Sequence, residues 1–375
     1  MFNVIPELLY KVLSLLLPLM LCLSGNTSAS LDYSNKLGDP SYPGLAAVYE
    51  DYFPIGAAVY SHELSDPNLV DFIKKNYYSI TPEWELKQSS LNPEEGVWNF
   101  DGMDALANFA RTNNLRLRGH TLMWPVQDTW MLWTDAGKTT LVSKEVLFER
   151  MEAFIKTVMA RYGDVIDIWD VVNEPFHYDK SQELKEETNY FKIAGEEFVT
   201  KAFELADKYS DENDVLMVNE TFVLGNSGKT NNLLNCVTRW KQQGVRIDGI
   251  GLQGHMGTIS TVLFDPNFNC LNDIVKTAKG LGMKVEITEL DIKIYEIARQ
   301  RTTDAPPKWL ELWQINKYKT FFRELRENKD TIIGVTFWGL DDAHSVITYD
   351  GKKDWPMLFD VNGMPKQNFY AACDF

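Results

Sequence analysis

Residues 167–175 read Asp-Ile-Trp-Asp-Val-Val-Asn-Glu-Pro. The stretch is a β-type run as far as Asn173 and ends in Asn-Glu-Pro, so polar side chains stand where the strand stops. The same arrangement recurs on both sides of it. Short β-type runs occupy Ile55–Tyr60, Tyr77–Thr81, Leu115–His120, Asp167–Asn173, Val215–Asn219, Gly249–His255, Lys284–Thr288 and Ile332–Trp338, each followed by a helical pattern. In the clearest, Val146, Leu147, Met151, Phe154, Ile155, Val158 and Met159 recur at helical spacing before Gly163. Another carries Phe191, Ala194, Phe198, Ala202, Phe203 and Ala206. Strands alternating with helices predict an α/β fold with a parallel sheet, and closure of that sheet gives a (β/α)8 TIM barrel. An open doubly wound sheet is the alternative, disfavoured because no glycine-rich phosphate turn follows the first run.

Composition narrows the function. The chain has 375 residues, with 37 Lys+Arg against 53 Asp+Glu, a net charge of −16. Such an acidic balance argues against a nucleic-acid partner, which needs a basic stripe. A charged fraction of 24% beside 45% hydrophobic residues is ordinary for a globular domain and excludes wholesale disorder. The 11 tryptophans can build a core, or flat platforms for the apolar face of a sugar ring.

The first thirty residues read as a leader. Val12–Leu23 is almost continuously apolar, too short to span a bilayer, and small residues follow at Thr27, Ser28, Ala29 and Ser30. This predicts a signal peptide over 1–30, cleaved near Ser30, and a secreted protein without stable membrane association. Three cysteines then remain, Cys236, Cys270 and Cys373. A Cys236–Cys270 disulfide and three reduced buried thiols are both compatible with this count. No linker-like tract interrupts 31–375, which reads as one catalytic domain. The helix-like stretch Trp309–Glu327, the eighth strand and the segment Met357–Tyr370 leave no room for a second module, and a monomer is expected.

In a barrel of this kind the active site lies at the C-terminal ends of the strands. Those ends carry Gly119-His120-Thr121-Leu122-Met123-Trp124, Asn173-Glu174-Pro175, Gln253-Gly254-His255, Thr288-Glu289-Leu290-Asp291 and Phe337-Trp338-Gly339. Taken singly, each residue has a bland explanation: a loop carboxylate, a core indole, a satisfied structural histidine. Strand packing does not explain all of them at five ends of one barrel. Two carboxylates facing each other across a barrel mouth suit glycoside hydrolysis, where one protonates the leaving oxygen and the other attacks or activates water. Indoles and amides around them supply stacking faces and hydroxyl-directed hydrogen bonds.

The runs Trp-Asp-Val-Val-Asn-Glu-Pro, Ile-Thr-Glu-Leu-Asp, Gly-Ile-Gly-Leu-Gln-Gly-His and Gly-His-Thr-Leu-Met-Trp together resemble glycoside hydrolase family 10, the endo-β-1,4-xylanases. The resemblance covers roughly Tyr52–Tyr370, with four motifs in family order. It implies a barrel and hydrolysis of xylan with net retention. By motif it makes Glu174 the general acid/base and Glu289 the nucleophile, with carboxyls about 5–5.5 Å apart. It assigns Asn173 to the sugar 2-hydroxyl and has His255, assisted by Gln253, hold the nucleophile. His120 and Trp124 become glycone-side contacts, Trp338 the floor of the cleavage point, and Glu83 and Lys87 partners of the next sugar out. The mechanism calls for no cofactor or metal, and neither metal-ligand spacing nor a nucleotide fingerprint is visible.

Three positions depart from the family pattern. Trp84 stands where the family usually has an asparagine that binds the second glycone sugar, Pro125 where it commonly has a second histidine, and Val346 near an expected Ser-Trp pair. Losing that last indole should widen the cleft roof unless Trp355 or another aromatic swings in. A β-glucan or short aryl glycoside therefore stays open as substrate, as does a non-catalytic carbohydrate-binding barrel. Asn219-Glu220-Thr221 fits a glycosylation sequon, but its place at a strand end makes it structural or cleft-lining.

Overall fold

The computed structural model describes residues 29–178, 182–259, 268–295, 304–348 and 353–375, with positions 15, 16 and 27. Most of residues 1–30, where a leader is expected from the sequence, lies outside the described residues.

Among the described residues nine strands are arranged in parallel: β1 Ile55–Val59, β2 Ser79–Pro82, β3 Arg116–Met123, β4 Ile166–Asn173, β5 Val215–Glu220, β6 Gly249–Leu252, β7 His255–Gly257, β8 Lys284–Lys293 and β9 Ile332–Phe337. They pair in the order β6-β5-β4-β3-β2-β1-β9-β8-β7, and β6 also pairs with β8, so eight of them close a barrel. Helices run back between successive barrel strands, as at Pro67–Asn76, Asp101–Asn113 and Lys144–Tyr162. The fold is the (β/α)8 TIM barrel.

The sequence explains the layering. Every residue of β1 and β2 is buried, because such strands face barrel interior on one side and helices on the other. The Lys144–Tyr162 helix starts where the Ser143 hydroxyl accepts the Val146 amide, and buries Leu147, Met151, Phe154, Ile155, Val158 and Met159 against the sheet. Each such side chain contributes roughly 1.5–3 kcal/mol, and Phe154→Ala would cost about 3–5 kcal/mol through the cavity left behind. Gly119 has a packing reason: a Cβ there would lie 2.2 Å from Cε3 of the Trp169 indole on β4.

Two expectations need correction. The run Gly249–His255 is not one strand. Gly254 takes a positive φ of 81° and breaks it into β6 and β7, both paired with β8. The pattern from Phe191 to Ala206 is two helices, Asn189–Ala194 and Glu197–Tyr209, divided at Gly195 with φ 59°. Of the two cysteine arrangements left open by the sequence, no disulfide joins Cys236 to Cys270, which lie on the helices Ser227–Gln242 and Asn269–Gly280. Burial pushes the Cys236 and Cys373 thiols up to about 12, so both stay protonated at neutral pH.

Candidate active site

The C-terminal ends of the strands converge as the barrel requires. Asn173 closes β4 and Glu174 follows it with φ 54°, a left-handed conformation rare for a non-glycine residue; its amide donates to the Asn219 carbonyl on β5 at 2.8 Å. Glu289 lies within β8, and its amide donates to the Gln253 carbonyl. The Gly254 turn sends the side chains of Gln253 and His255 to different carboxylates.

Those carboxylates are connected through amides. Gln253 Nε2 donates to Glu174 Oε1 at 2.8 Å and to Asn173 Oδ1 at 3.3 Å. Asn219 Nδ2 donates to Asn173 Oδ1 at 3.0 Å and to Glu289 Oε1 at 2.8 Å. Thr288 Oγ1 fixes the orientation of the Asn219 amide by donating to its oxygen at 2.6 Å. Each amide has one allowed orientation, so Glu174 and Glu289 share a rigid polar framework.

Their electrostatic surroundings differ. His255 Nε2 donates to Glu289 Oε2 at 3.2 Å and its Nδ1 donates to Asp291 Oδ2 at 2.5 Å. Burial opposes the charge on this ring, but Asp291 and Glu289 outweigh it and raise His255 to about 10. The group at neutral pH is therefore an imidazolium clamped between two carboxylates. Burial would likewise raise Glu289, yet the hydrogen bond from His255 and the nearby His120, His255 and Lys87 side chains leave it below the usual carboxylate range. Glu174 has a looser partner in Lys185, with Nζ 3.4 Å from Oε2.

His120 lies over the barrel interior with Nδ1 donating to Asp170 Oδ2 at 2.8 Å. Beneath it the buried Arg118 guanidinium bridges Asp170 at 2.9 Å and Glu286 at 3.0 Å. Trp338 packs edge-on against His120 (5.3 Å between centroids) and His255 (6.4 Å). Lys87 Nζ sits 5.5 Å from the Trp338 ring, 5.0 Å from Trp124 and 4.7 Å from Trp84. Burial lowers the Lys87 ammonium against the pull of Glu289, Glu83, Glu174 and Glu85. Glu83 is pushed up to about 7, first by burial and then by Glu63 and Glu85, while Tyr60 and Lys87 hold it down.

Ten residues singled out from sequence, Glu83, Lys87, His120, Trp124, Asn173, Glu174, Gln253, His255, Glu289 and Trp338, thus form one constellation. Trp355, named as an indole that would close the roof if it swung in, packs instead beside Tyr295, at 6.4 Å, in a cluster with Trp309 and Trp313, and Val346 is exposed. Asn219, read from sequence only as structural or cleft-lining, is wholly buried near the end of β5 and bonded directly to Glu289. Other members went unrecognised in the sequence. Lys185, Tyr178 and Phe222 come from loops that carry no periodic pattern. Tyr178 and Phe222 are about half exposed, with rings 5.7 Å apart, and Lys185 lies 5.5 Å from the Tyr178 ring.

A carboxylate held ionised, a second carboxylate linked to it by amides, and indoles lining one side are the parts needed for acid-assisted displacement at a sugar carbon. The family model for glycosyl hydrolase family 10 matches residues 44–375. The chain belongs to glycosyl hydrolase family 10. This is a family of retaining glycoside hydrolases. Endo-1,4-beta-xylanase A of Caldicellulosiruptor saccharolyticus is 37% identical over 338 residues, covering 88% of this chain and 95% of that protein. An endo-1,4-beta-xylanase/feruloyl esterase of Xylanibacter ruminicola is 34% identical over 371 residues, covering 94% of this chain; the chain spans 49% of that longer protein. A solved structure of a mutant in complex with xylotriose superposes with a TM-score of 0.82 at 33% identity, over 89% of this chain and 100% of the other.

Proposed function

We propose that this family 10 enzyme is a secreted endo-1,4-β-xylanase that hydrolyses internal xylosidic bonds of plant xylan with retention. The observation that carries the reading is the unequal setting of the two linked carboxylates: Glu289 is kept ionised by an imidazolium, while Glu174 meets Gln253 and a long contact to Lys185.

In the first step Glu289 attacks the anomeric carbon as Glu174 gives its proton to the departing glycosidic oxygen, which leaves a covalent glycosyl-enzyme. In the second, Glu174 takes a proton from water, the resulting hydroxide adds to the same carbon, and Glu289 departs as carboxylate. Two inversions give net retention. Asn173, oriented by Asn219 and Gln253, is placed to bond the sugar 2-hydroxyl, and His255 keeps the Glu289 oxygens aimed. Xylan binding is supported by the names of the xylanase relatives and by the xylotriose complex.

Incubation with xylan should release xylo-oligosaccharides whose newly formed reducing ends are first seen as the β-anomer by NMR, and Glu289→Gln should abolish this. In parallel incubations, products from cellulose or mixed-linkage glucan with none from xylan would move the substrate to a β-glucan, the alternative that Trp84 and Val346 leave open. The apolar run at Val12–Leu23 supports export; amino-terminal sequencing of the protein from culture fluid should begin near Leu31, and an intact Met1 would oppose it.

A further inference from the structure

Trp84 is an indole with a partner on one side and solvent on the other. It lies on the turn between β2 and the helix Gln88–Leu91, where the Lys87 amide donates to its carbonyl at 3.1 Å. Its side chain is 44% exposed. The Lys87 ammonium covers the ring at 4.7 Å, a cation–π contact that fixes the orientation of the plane. Lys87 itself is buried, and among the described residues its Nζ makes no hydrogen bond or ion pair; its neighbours are the three indoles Trp84, Trp124 and Trp338.

Contacts link these groups to the Glu289 carboxylate. His255 touches Glu289; Trp338 packs on His255 at 6.4 Å; Lys87 lies 5.5 Å from Trp338; Trp84 lies 4.7 Å beyond Lys87. Exposure rises among the three indoles around Lys87, from buried Trp338 through half-buried Trp124 to exposed Trp84, which makes Trp84 the outermost of them. Glu83, the carboxyl at its other side in the chain, is buried and pushed up to about 7.

We infer that Trp84 builds a third sugar-binding position on the glycone side, stacking one further pyranose beyond the two held by Trp338 and by Glu83 with Lys87. An amide here would read one hydroxyl. An indole presents a flat apolar face that accepts the CH-rich face of a xylose ring, and its lysine backing keeps it from folding back over the cleft. The inference rests on the proposed xylanase activity, and it makes this enzyme prefer chains with at least three residues ahead of the cleaved bond.

Aryl β-xylobioside and aryl β-xylotrioside test it, because release of the aryl group from the two differs only by the third glycone sugar. For the unmodified protein kcat/KM should be about five- to tenfold higher on the xylotrioside, the gain expected of one stacked ring. In Trp84→Ala that ratio should fall to about 1–2, carried by KM, and Trp84→Phe should keep most of it. A ratio near 1 in the unmodified protein, or one unchanged in Trp84→Ala, would overturn the inference. Absence of aryl release from both substrates would instead strike the proposed function. Near-identical unfolding temperatures check that the half-exposed site tolerates the changes.

Discussion

Replacing His255 by glutamine tests the electrostatic account of Glu289. The substitution removes one hydrogen bond to a carboxylate and one positive charge, and it frees the charge on Asp291, which the imidazolium neutralises at 2.5 Å. A hydrogen bond between charged groups is worth about 1.5–3 kcal/mol, and a pKa unit is about 1.4 kcal/mol, so Glu289 should become harder to ionise by about one to two units. Asp291 acts in the same direction, because a second carboxylate nearby disfavours ionisation. His120 and Lys87 still favour the carboxylate, so part of the depression survives. Attack requires ionised Glu289, and the acid limb of kcat/KM against pH reports that ionisation in the free enzyme. In the variant this limb should therefore move to higher pH, and the deficit should grow as pH falls. Stability carries a second signature. His255 is raised from 6.5 to about 10, so its contribution is complete below about 6.5 and fades as pH rises through about 10. Thermal unfolding of the unmodified protein should lose stability across that alkaline window, and the variant should lack this component. An acid limb that stays in place or moves to lower pH would refute the reasoning.

Asn219→Ala removes the donor to Glu289, leaves Asn173 Oδ1 with only the longer 3.3 Å bond from Gln253 and takes away the acceptor of the Thr288 hydroxyl; kcat should fall about 10- to 100-fold with smaller changes in KM, measured on an aryl xylobioside. The same burial predicts that Asn219 carries no glycan when the protein is made in a glycosylating host, which intact mass would show. Arg118→Met removes the ion-pair partner of the buried Glu286 and leaves the buried Asp170 with His120 alone, and should cost about 3–5 kcal/mol by denaturant unfolding. Cys236 and Cys373, both pushed up to about 12, should resist thiol reagents at mildly alkaline pH until the protein is unfolded.

The barrel was legible because a strand buried on both faces is an apolar run, and its C-terminal end must then supply whatever is polar. That logic located His120, Asn173, Glu174, Gln253, His255, Glu289 and Trp338. It misread Gly249–His255 as one strand, since the local pattern does not reveal that Gly254 takes a positive φ to aim Gln253 and His255 apart. It also passed over Lys185, Tyr178 and Phe222. Their approach to Glu174 is set by how long loops fold over the barrel rim, and no periodicity encodes that. Counting cysteines left a Cys236–Cys270 disulfide and reduced thiols both open; which holds depends on side-chain geometry across two helices, where no disulfide joins them. Trp84 was visible as an anomaly, but its backing by Lys87 emerges only in three dimensions.

The division of labour between the two carboxylates is the central claim, and covalent trapping tests it most directly. A 2-fluoro xylobioside with a good leaving group should form a glycosyl-enzyme that hydrolyses slowly, because the fluorine destabilises both oxocarbenium-like transition states. Peptide mass analysis of the trapped protein should find the disaccharide on Glu289. A label on Glu174, or steady turnover with no residue modified, would contradict the account.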